Sequence, residues 1–262
     1  MTHRYENTYI DAVRSHAGEC FVNACVEAFR RWACSVYSPG RTLTVALSGG
    51  TTPEPFYRAL ARGVFVKDDA SKAFDVCDES GRKIPSDAIR WFQTDERCVP
   101  TGYPESNQRM IREALFNPEE NRPGPNSAMF HGVLVDIGDH LFAAQKYEQV
   151  FREFVPGSPV PSFDLILLGV GEDGHIASLF PGTESQIIPG RLFQSVEVSK
   201  LGTRRFTMTP LILEAARLVV IMAAGPHKAD VVENLLAGRA PELPAARLIA
   251  RRPVVWWLDN LK

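Results

Sequence analysis

A glycine-rich turn carries the residues best suited to chemistry in this sequence. Residues 169–175 are GVGEDGH, which places Asp173 two residues before His175. A carboxylate beside a histidine fixes the imidazole tautomer and stabilises its protonated form, so the pair is suited to general-base catalysis. The alternative is a surface histidine with no catalytic role. The turn directly follows the apolar run FDLILLG, and loops at strand ends commonly carry functional groups, so from these residues alone the catalytic and the surface interpretations stand side by side.

A second glycine turn has the composition of an anion site. Residues 48–53 are SGGTTP, between the apolar run TLTVAL and a helical pattern. Glycines allow close backbone approach, and the N–H groups at the start of the next helix attract negative charge, so Gly49, Gly50 and Thr51 could hold a phosphate. The alternative is a tight strand-to-helix turn without a ligand. The turn has neither a Walker nor a dinucleotide-binding pattern.

Cations that suit a phosphorylated substrate lie near the ends of other apolar runs. Arg97 ends the acidic stretch TDER, Arg205 lies in RRFT, and Lys228 ends GPHK. A guanidinium binds phosphate through its planar fork and an ammonium binds it as a point charge. Each cation taken alone could equally be a solvated surface group. The remaining histidines lack a motif, and no Cys or His pair has ligand spacing, so no metal site is predicted.

The hydrophobic pattern predicts an α/β fold with a mostly parallel sheet. Short apolar runs typical of buried strands alternate with stretches of helical periodicity. The strands are predicted at 42–47, 89–93, 163–169, 217–224 and 253–259, and the helices at 19–32, 53–60, 106–115, 139–154 and from 228 onwards. No stretch resembles an interdomain linker, so residues 1–262 are expected to form one domain. Polar or glycine-rich turns follow four of these strands, which predicts one composite site at the carboxyl edge of the sheet.

Composition excludes several classes of protein. Lys and Arg number 29 and Asp and Glu number 31, a net charge of −2, so the basic excess of a nucleic-acid-binding protein is absent. No apolar run approaches the roughly 20 residues of a membrane span. The five cysteines include no Cys-x-x-Cys pair. A cytoplasmic protein without membrane or nucleic-acid partners, a monomer or small homo-oligomer, is therefore expected.

Six motifs together carry a family resemblance. They are LSGGTTPEPFY, TDERCVP with PESNQRM, FDLILLGVGEDGHIASLFPGT, RRFTMT, GPHKAD and WWLD, between residues 47 and 259. In kind and order they resemble the glucosamine-6-phosphate isomerase/6-phosphogluconolactonase family, and in particular its lactonases. The resemblance implies a Rossmann-like three-layer sandwich similar to glucosamine-6-phosphate deaminase. It also implies hydrolysis of 6-phosphoglucono-1,5-lactone to 6-phosphogluconate in the oxidative pentose phosphate pathway, without a cofactor.

The resemblance also implies roles for individual residues. His175 would be the general base and Asp173 its partner, with Arg97 contacting the substrate as a catalytic group. Binding of the sugar phosphate would fall to Gly49, Gly50, Thr51, Asp95, Arg205 and Lys228. Arg204 is the alternative to Arg205, although the spacing to Thr207 favours Arg205. The oxyanion donors stay open between Arg97 and backbone N–H groups. Ile176 and Cys98 depart from the usual family residues without removing a catalytic group.

Two other functions fit the same fold. One is deamination or isomerisation of an amino-sugar phosphate, and the other is sugar-phosphate sensing without catalysis. The resembling deaminases have a glutamate where this chain has Phe180, and a tyrosine where it has Arg97. A phenyl ring cannot move the proton that sugar-ring opening requires, so the sequence favours the lactonase. The sensor hypothesis lacks the basic excess of a DNA-binding regulator.

Overall fold

The computed structural model describes residues 13–15, 18–63, 76–77, 83–117, 124–259 and 261. Its strands are β1 Val13–Ser15, β2 Leu43–Leu47, β3 Val76–Cys77, β4 Lys83–Ile84, β5 Ile89–Gln93, β6 Asp95–Arg97, β7 Phe130–His131, β8 Leu165–Gly169, β9 Phe193–Val198, β10 Thr203–Met208, β11 Leu218–Ala224 and β12 Val255–Asp259. Its α-helices are α1 Gly18–Val36, α2 Glu54–Gly63, α3 Asn107–Ile111, α4 His140–Phe154, α5 Pro210–Ala215, α6 Ala229–Leu236 and α7 Pro244–Arg251. A π-helical turn, Arg112–Phe116, extends α3.

The described residues form one large parallel sheet of seven strands. The strand order is β1-β12-β11-β8-β2-β5-β7, and every neighbouring pair is parallel. The predicted α/β fold with a mostly parallel sheet is confirmed. Strands β11, β8, β2 and β5 are consecutive neighbours, so the four turns that follow them leave the same edge of the sheet.

Helices cover both faces of this sheet because its strands are apolar on both sides. Val45 and Leu47 of β2 pack in a core with α1 and α2, whereas Ala46 between them packs in a core with α4 to α7. Trp256 and Trp257 of β12 likewise point to opposite cores and are both buried. This period of two is how parallel strands fill a three-layer sandwich.

Local sequence signals mark several helix starts. Ser106 accepts a hydrogen bond from the amide of Arg109 at 3.1 Å and so caps α3. Asp139 caps α4 in the same way through the amide of Phe142, at 2.9 Å. Both residues were predicted at these helix starts. Helix α2 begins at Glu54, one residue after Pro53, where the sequence placed its start.

One expectation about the fold was wrong. The sequence places Asp95-Glu96-Arg97 in a polar turn, but these residues form strand β6. They pair antiparallel with β10, and β10 pairs with β9 in a separate three-stranded sheet. The physical reason is that β10 lies far along the chain and supplies the hydrogen-bonding partners that a polar tripeptide cannot find locally. The small sheet stands beside the carboxyl edge of the large one and carries both Arg97 and Arg205.

Candidate active site

The glycine turn after β2 packs closely against α3. A Cβ atom on Gly49 would lie 1.8 Å from Oδ1 of Asn107, a distance that real structures do not tolerate. Gly50 has a φ of 97°, in the left-handed region that favours glycine. Thr51 is exposed at the tip of the turn. The sequence therefore needs glycine at two consecutive positions here, one for close packing and one for backbone conformation.

Asp95 connects two of the turns at the sheet edge with strand β6. Its carboxylate is 7% exposed and accepts hydrogen bonds from the Thr94 hydroxyl at 2.8 Å, the Ser178 hydroxyl at 2.9 Å and the Asn107 amide at 3.3 Å. The Thr94 hydroxyl is also 2.9 Å from that of Ser48. The glycine turn after β2, strand β6 and the loop that carries His175 are thus linked through one buried carboxylate.

Glu96 anchors strand β6 to the start of α3, a role that sequence analysis missed. Its carboxylate is fully buried and accepts five hydrogen bonds, from the Gln93 amide, the Ser106 hydroxyl and the backbone N–H groups of Arg97, Asn107 and Gln108. Burial raises the pKa of Glu96, while the Gln93 amide and the three backbone N–H groups work to lower it. A buried carboxylate this well satisfied is structural, and no local sequence pattern marks it.

Arg97 and Arg205 lie directly opposite each other on β6 and β10. Arg97 donates to the backbone oxygen of Glu105. Arg205 is partly buried, makes no hydrogen bond or ion pair with any described residue, and keeps its Nε buried without a partner. Burial and the charge of Arg97 lower the pKa of Arg205, against the opposing effect of Asp95 and Glu96. Like charges directly opposite each other on neighbouring strands are unfavourable, and no described side chain bonds the buried Nε of Arg205.

Arg204 points away from this pair because successive strand residues face opposite sides. Its guanidinium is exposed and lies 3.8 Å from the Glu197 carboxylate. It also contacts the Ser195 hydroxyl at 3.4 Å. The two adjacent arginines therefore have different surroundings, and only Arg205 shares a face with Arg97.

The loop after β8 holds His175 between a carboxylate and an aromatic ring. Nδ1 of His175 lies 2.6 Å from Oδ1 of Asp173, and the imidazole stacks on Phe180 at 4.1 Å between ring centroids. Burial works to raise the pKa of Asp173, but hydrogen bonds and charge from His175 and Lys200 outweigh it and lower the pKa. An ionised carboxylate only accepts hydrogen bonds, so Nδ1 is the donor, and in the neutral imidazole this leaves Nε2 as the acceptor.

The backbone of this loop requires its glycines. A Cβ atom on Gly171 would lie 2.0 Å from Nδ1 of His175, so only glycine admits the imidazole. Gly174 has a φ of 75°, and its carbonyl oxygen accepts a 3.1 Å hydrogen bond from Ala245 at the start of α7. Helix α7 thereby supports the loop from behind. These contacts explain two of the three glycines in GVGEDGH, Gly171 and Gly174.

Lys228 reaches the same loop from the turn after β11. Its ammonium donates a 2.6 Å hydrogen bond to the backbone oxygen of Val170. Burial lowers the pKa of Lys228, and the charges of Glu172 and Asp173 partly offset that effect. The structure therefore brings the turns after β2, β8 and β11 and the strand β6 into one region, with Asp173 and His175 beside Lys228 and with Arg97 beside Arg205.

The described residues hold no group of three or more His, Cys, Asp or Glu side chains placed to bind a metal ion. Nor does any described helix combine the length and apolar character needed to cross a membrane.

Comparisons with known proteins agree with this architecture. A family model described as glucosamine-6-phosphate isomerases/6-phosphogluconolactonase matches residues 17–257. A 6-phosphogluconolactonase of Synechocystis sp. is 36% identical over 226 residues, covering 83% of this chain and 82% of that protein. A 6-phosphogluconolactonase of Mycobacterium tuberculosis is 36% identical over 186 residues, covering 68% and 74%.

Solved structures extend the similarity to the fold. The 6-phosphogluconolactonase of Thermotoga maritima superimposes with a TM-score of 0.74 at 26% identity, covering 95% of this chain and all of that chain. A monomeric glucosamine-6-phosphate deaminase shares the fold with a TM-score of 0.73 at 18% identity, covering 96% and 98%. The chain belongs to the glucosamine-6-phosphate isomerase/6-phosphogluconolactonase family.

Proposed function

We propose that the protein hydrolyses 6-phospho-D-glucono-1,5-lactone to 6-phospho-D-gluconate, the second step of the oxidative pentose phosphate pathway, with His175 activating the water. The observation that carries the proposal is the 2.6 Å contact between Nδ1 of His175 and Asp173, which leaves Nε2 as the basic nitrogen. The lactonases of Synechocystis and M. tuberculosis, each 36% identical to this chain, support the choice of substrate.

In this proposal the phosphate is held by Arg205, Arg97 and Lys228, none of which forms an ion pair within the described residues. Arg205 has no hydrogen-bonding partner for its buried Nε, and an anion between it and Arg97 relieves the repulsion of the two guanidinium groups. Lys228 adds a point charge beside the His175 loop. The N–H groups around Gly49, Gly50 and Thr51, in the turn that leads into α2, complete an anion site of the kind found ahead of helix N-termini.

Asp95 contributes mainly by holding the turns in place. A carboxylate has about four acceptor sites, and three side-chain donors of the protein occupy Asp95, which leaves one for a sugar hydroxyl. In this proposal it therefore both positions the His175 loop and contacts the substrate.

The reaction proceeds through attack of water on the lactone carbonyl. Nε2 of His175 takes a proton from water as the oxygen bonds to C1, and Asp173 stabilises the imidazolium that forms. Negative charge on the carbonyl oxygen is stabilised by Arg97 or by backbone N–H groups of a glycine turn. Collapse of this intermediate breaks the bond between C1 and the ring oxygen, and His175 returns the proton to that oxygen. The lactone is an activated ester, so these steps need no cofactor.

Phe180 is the observation that favours the lactonase over the deaminase. Its ring stacks on His175 at 4.1 Å, where a side chain able to transfer a proton would be needed for opening a sugar ring. A phenyl ring has no such proton. The protein is therefore expected to release no ammonia from glucosamine 6-phosphate, and a sensor would turn over neither compound.

A coupled assay tests the proposal. Glucose-6-phosphate dehydrogenase generates fresh lactone, and 6-phosphogluconate dehydrogenase reports the hydrolysed product. The purified protein should accelerate product formation well beyond spontaneous hydrolysis, and His175→Ala should return the rate close to that background. Ammonia release from glucosamine 6-phosphate at a rate comparable to lactone hydrolysis would contradict the proposal while leaving the fold intact.

We further propose that the enzyme is cytoplasmic and that it is a monomer or a small homo-oligomer. Cys25 and Cys98 are not in disulfides, and burial raises the pKa of the Cys98 thiol to about 12. Thiols of this kind suit a reducing compartment. Size-exclusion chromatography with light scattering measures the oligomeric state.

A further inference from the structure

A second charge touches the carboxylate that supports His175. The ammonium of Lys200 lies 3.2 Å from Oδ2 of Asp173, while Oδ1 of the same carboxylate faces Nδ1 of His175 at 2.6 Å. Lys200 lies in the 3₁₀ turn Ser199–Leu201, which connects β9 to β10. Three ionisable groups thus form a row of lysine, carboxylate and imidazole, contributed by two separate segments of the chain.

The order of charges in this row has a definite consequence. Asp173 stabilises the imidazolium form of His175, since opposite charges attract. The ammonium of Lys200, on Oδ2 of Asp173, partly neutralises the carboxylate and so weakens its stabilisation of the imidazolium. The same positive charge also disfavours a second positive charge on His175. With Lys200 in place, His175 should therefore take up its proton at a lower pH than it would beside Asp173 alone. At neutral pH this keeps more of the imidazole in the form that accepts a proton from water.

We propose that Lys200 is a positioning residue for the reaction, acting through Asp173 to set the pH at which His175 becomes protonated. This proposal rests on the lactone hydrolysis proposed above, in which His175 acts as the general base. Lys200 is 72% exposed on its side chain, so it carries little packing and can be replaced without disturbing the core.

The other charged groups around the row are few among the described residues. Glu172 is exposed on the same loop, and its charge and that of Asp173 act on Lys228 from the turn after β11. Phe180 covers one face of the imidazole without adding charge. Helix α7 meets the loop through the amide of Ala245. Among the lysines and arginines that the structure describes, Lys200 is the one whose side chain bonds the Asp173 carboxylate.

A charge series at position 200 tests the proposal. The imidazole of His175 is titrated by NMR in the full-length parent and in Lys200→Arg, Lys200→Met and Lys200→Glu, without substrate. The titration midpoint of His175 should be unchanged in Lys200→Arg. It should rise by roughly 0.2–0.7 pH unit in Lys200→Met, which corresponds to the free energy of an exposed ion pair, and it should rise further in Lys200→Glu. The exposed Lys146 on α4 offers a matched control, since Lys146→Met changes the net charge equally and should leave the midpoint unchanged.

Two further measurements separate this proposal from the proposed function. The acid limb of the pH profile of kcat/KM should move with the NMR midpoint, and high salt should reduce the difference between the parent and Lys200→Met. Normal lactone turnover with indistinguishable midpoints across the series would overturn the role of Lys200 alone. If the His175 midpoints shift across the series but the protein does not hydrolyse the lactone, the proposed function is wrong, and so is the role of Lys200 in catalysis.

Discussion

The hydroxyl of Ser178 donates a 2.9 Å hydrogen bond to Oδ2 of Asp95, although 83 residues separate them in the chain. Both residues are buried. Ser178 lies in the loop that carries His175, and Asp95 begins the strand that carries Arg97. The amide of Ser178 also donates to the Thr207 hydroxyl at 3.1 Å, on the strand that carries Arg205. One serine therefore connects the proposed base to both proposed arginine ligands.

Ser178→Ala should destabilise the protein because it removes a donor from a buried carboxylate. A hydrogen bond to a charged group contributes about 1.5–3 kcal/mol, and the free energy of unfolding should fall by that amount. Chemical denaturation followed by fluorescence measures the change. Ser199→Ala, in an exposed turn, is the control and should change stability by less than about 0.5 kcal/mol. Superimposable unfolding curves for the two variants would show that the contact contributes nothing.

His175→Ala should lower kcat by roughly 10²- to 10⁴-fold, the usual contribution of a positioned base. Asp173→Asn should also lower kcat, since a neutral amide cannot stabilise the imidazolium. His175 is partly exposed in a loop, so the unfolding midpoint of the alanine variant should stay near that of the parent. Activity within about threefold of the parent, after subtraction of spontaneous hydrolysis, would refute the assignment of His175 as the base.

Arg205→Ala and Lys228→Ala should each weaken binding of 6-phosphogluconate by roughly 10- to 150-fold, because each removes a charge-assisted contact. Isothermal calorimetry measures the affinities, which should also fall as salt rises. Arg204→Ala provides the matched control, since it removes the same charge from the opposite side of β10 and should leave the affinity nearly unchanged. If Arg204→Ala alone weakens binding, the phosphate site belongs on the other face of the strand.

Binding of 6-phosphogluconate should weaken at alkaline pH through Lys228. Burial lowers the pKa of Lys228 from its ordinary 10.5, so the proton is lost at a lower pH than from a free lysine. Affinity is full below this lowered pKa and declines as pH rises through it. In Lys228→Arg the guanidinium keeps its charge, so the alkaline decline should disappear. Identical pH dependence of the dissociation constants in the parent and Lys228→Arg would exclude Lys228 as a phosphate ligand.

Lactone hydrolysis should survive exhaustive chelation, because the proposed mechanism uses an imidazole base and water. The coupled assay is run after dialysis against a strong chelator, with the chelator also tested on the coupling enzymes. Activity that disappears and returns with one particular divalent ion would show that Asp173 and His175 serve as metal ligands.

Much of the fold could be predicted because its signals are local. Continuous apolar runs marked the five long strands of the parallel sheet, and the helix starts were predicted at Ser106 and Asp139. The rule that parallel strands share a carboxyl edge then placed Gly49, Asp95, Asp173 and Lys228 in one region. The tripeptide Asp95–Arg97 was misplaced in a turn because its strand partners, Arg205 to Thr207, lie more than a hundred residues away.

The sequence by itself determined the types of residue at the site and the edge of the sheet where they meet. It could do so because glycine spacing, capping and apolar periodicity act over a few residues. Only the tertiary structure decided which of Arg204 and Arg205 faces Arg97, that Glu96 anchors α3, that Phe180 covers His175, and that Lys200 bonds Asp173. These contacts join segments from different parts of the chain. Their geometry follows from how strands and loops pack in three dimensions, which no local pattern records.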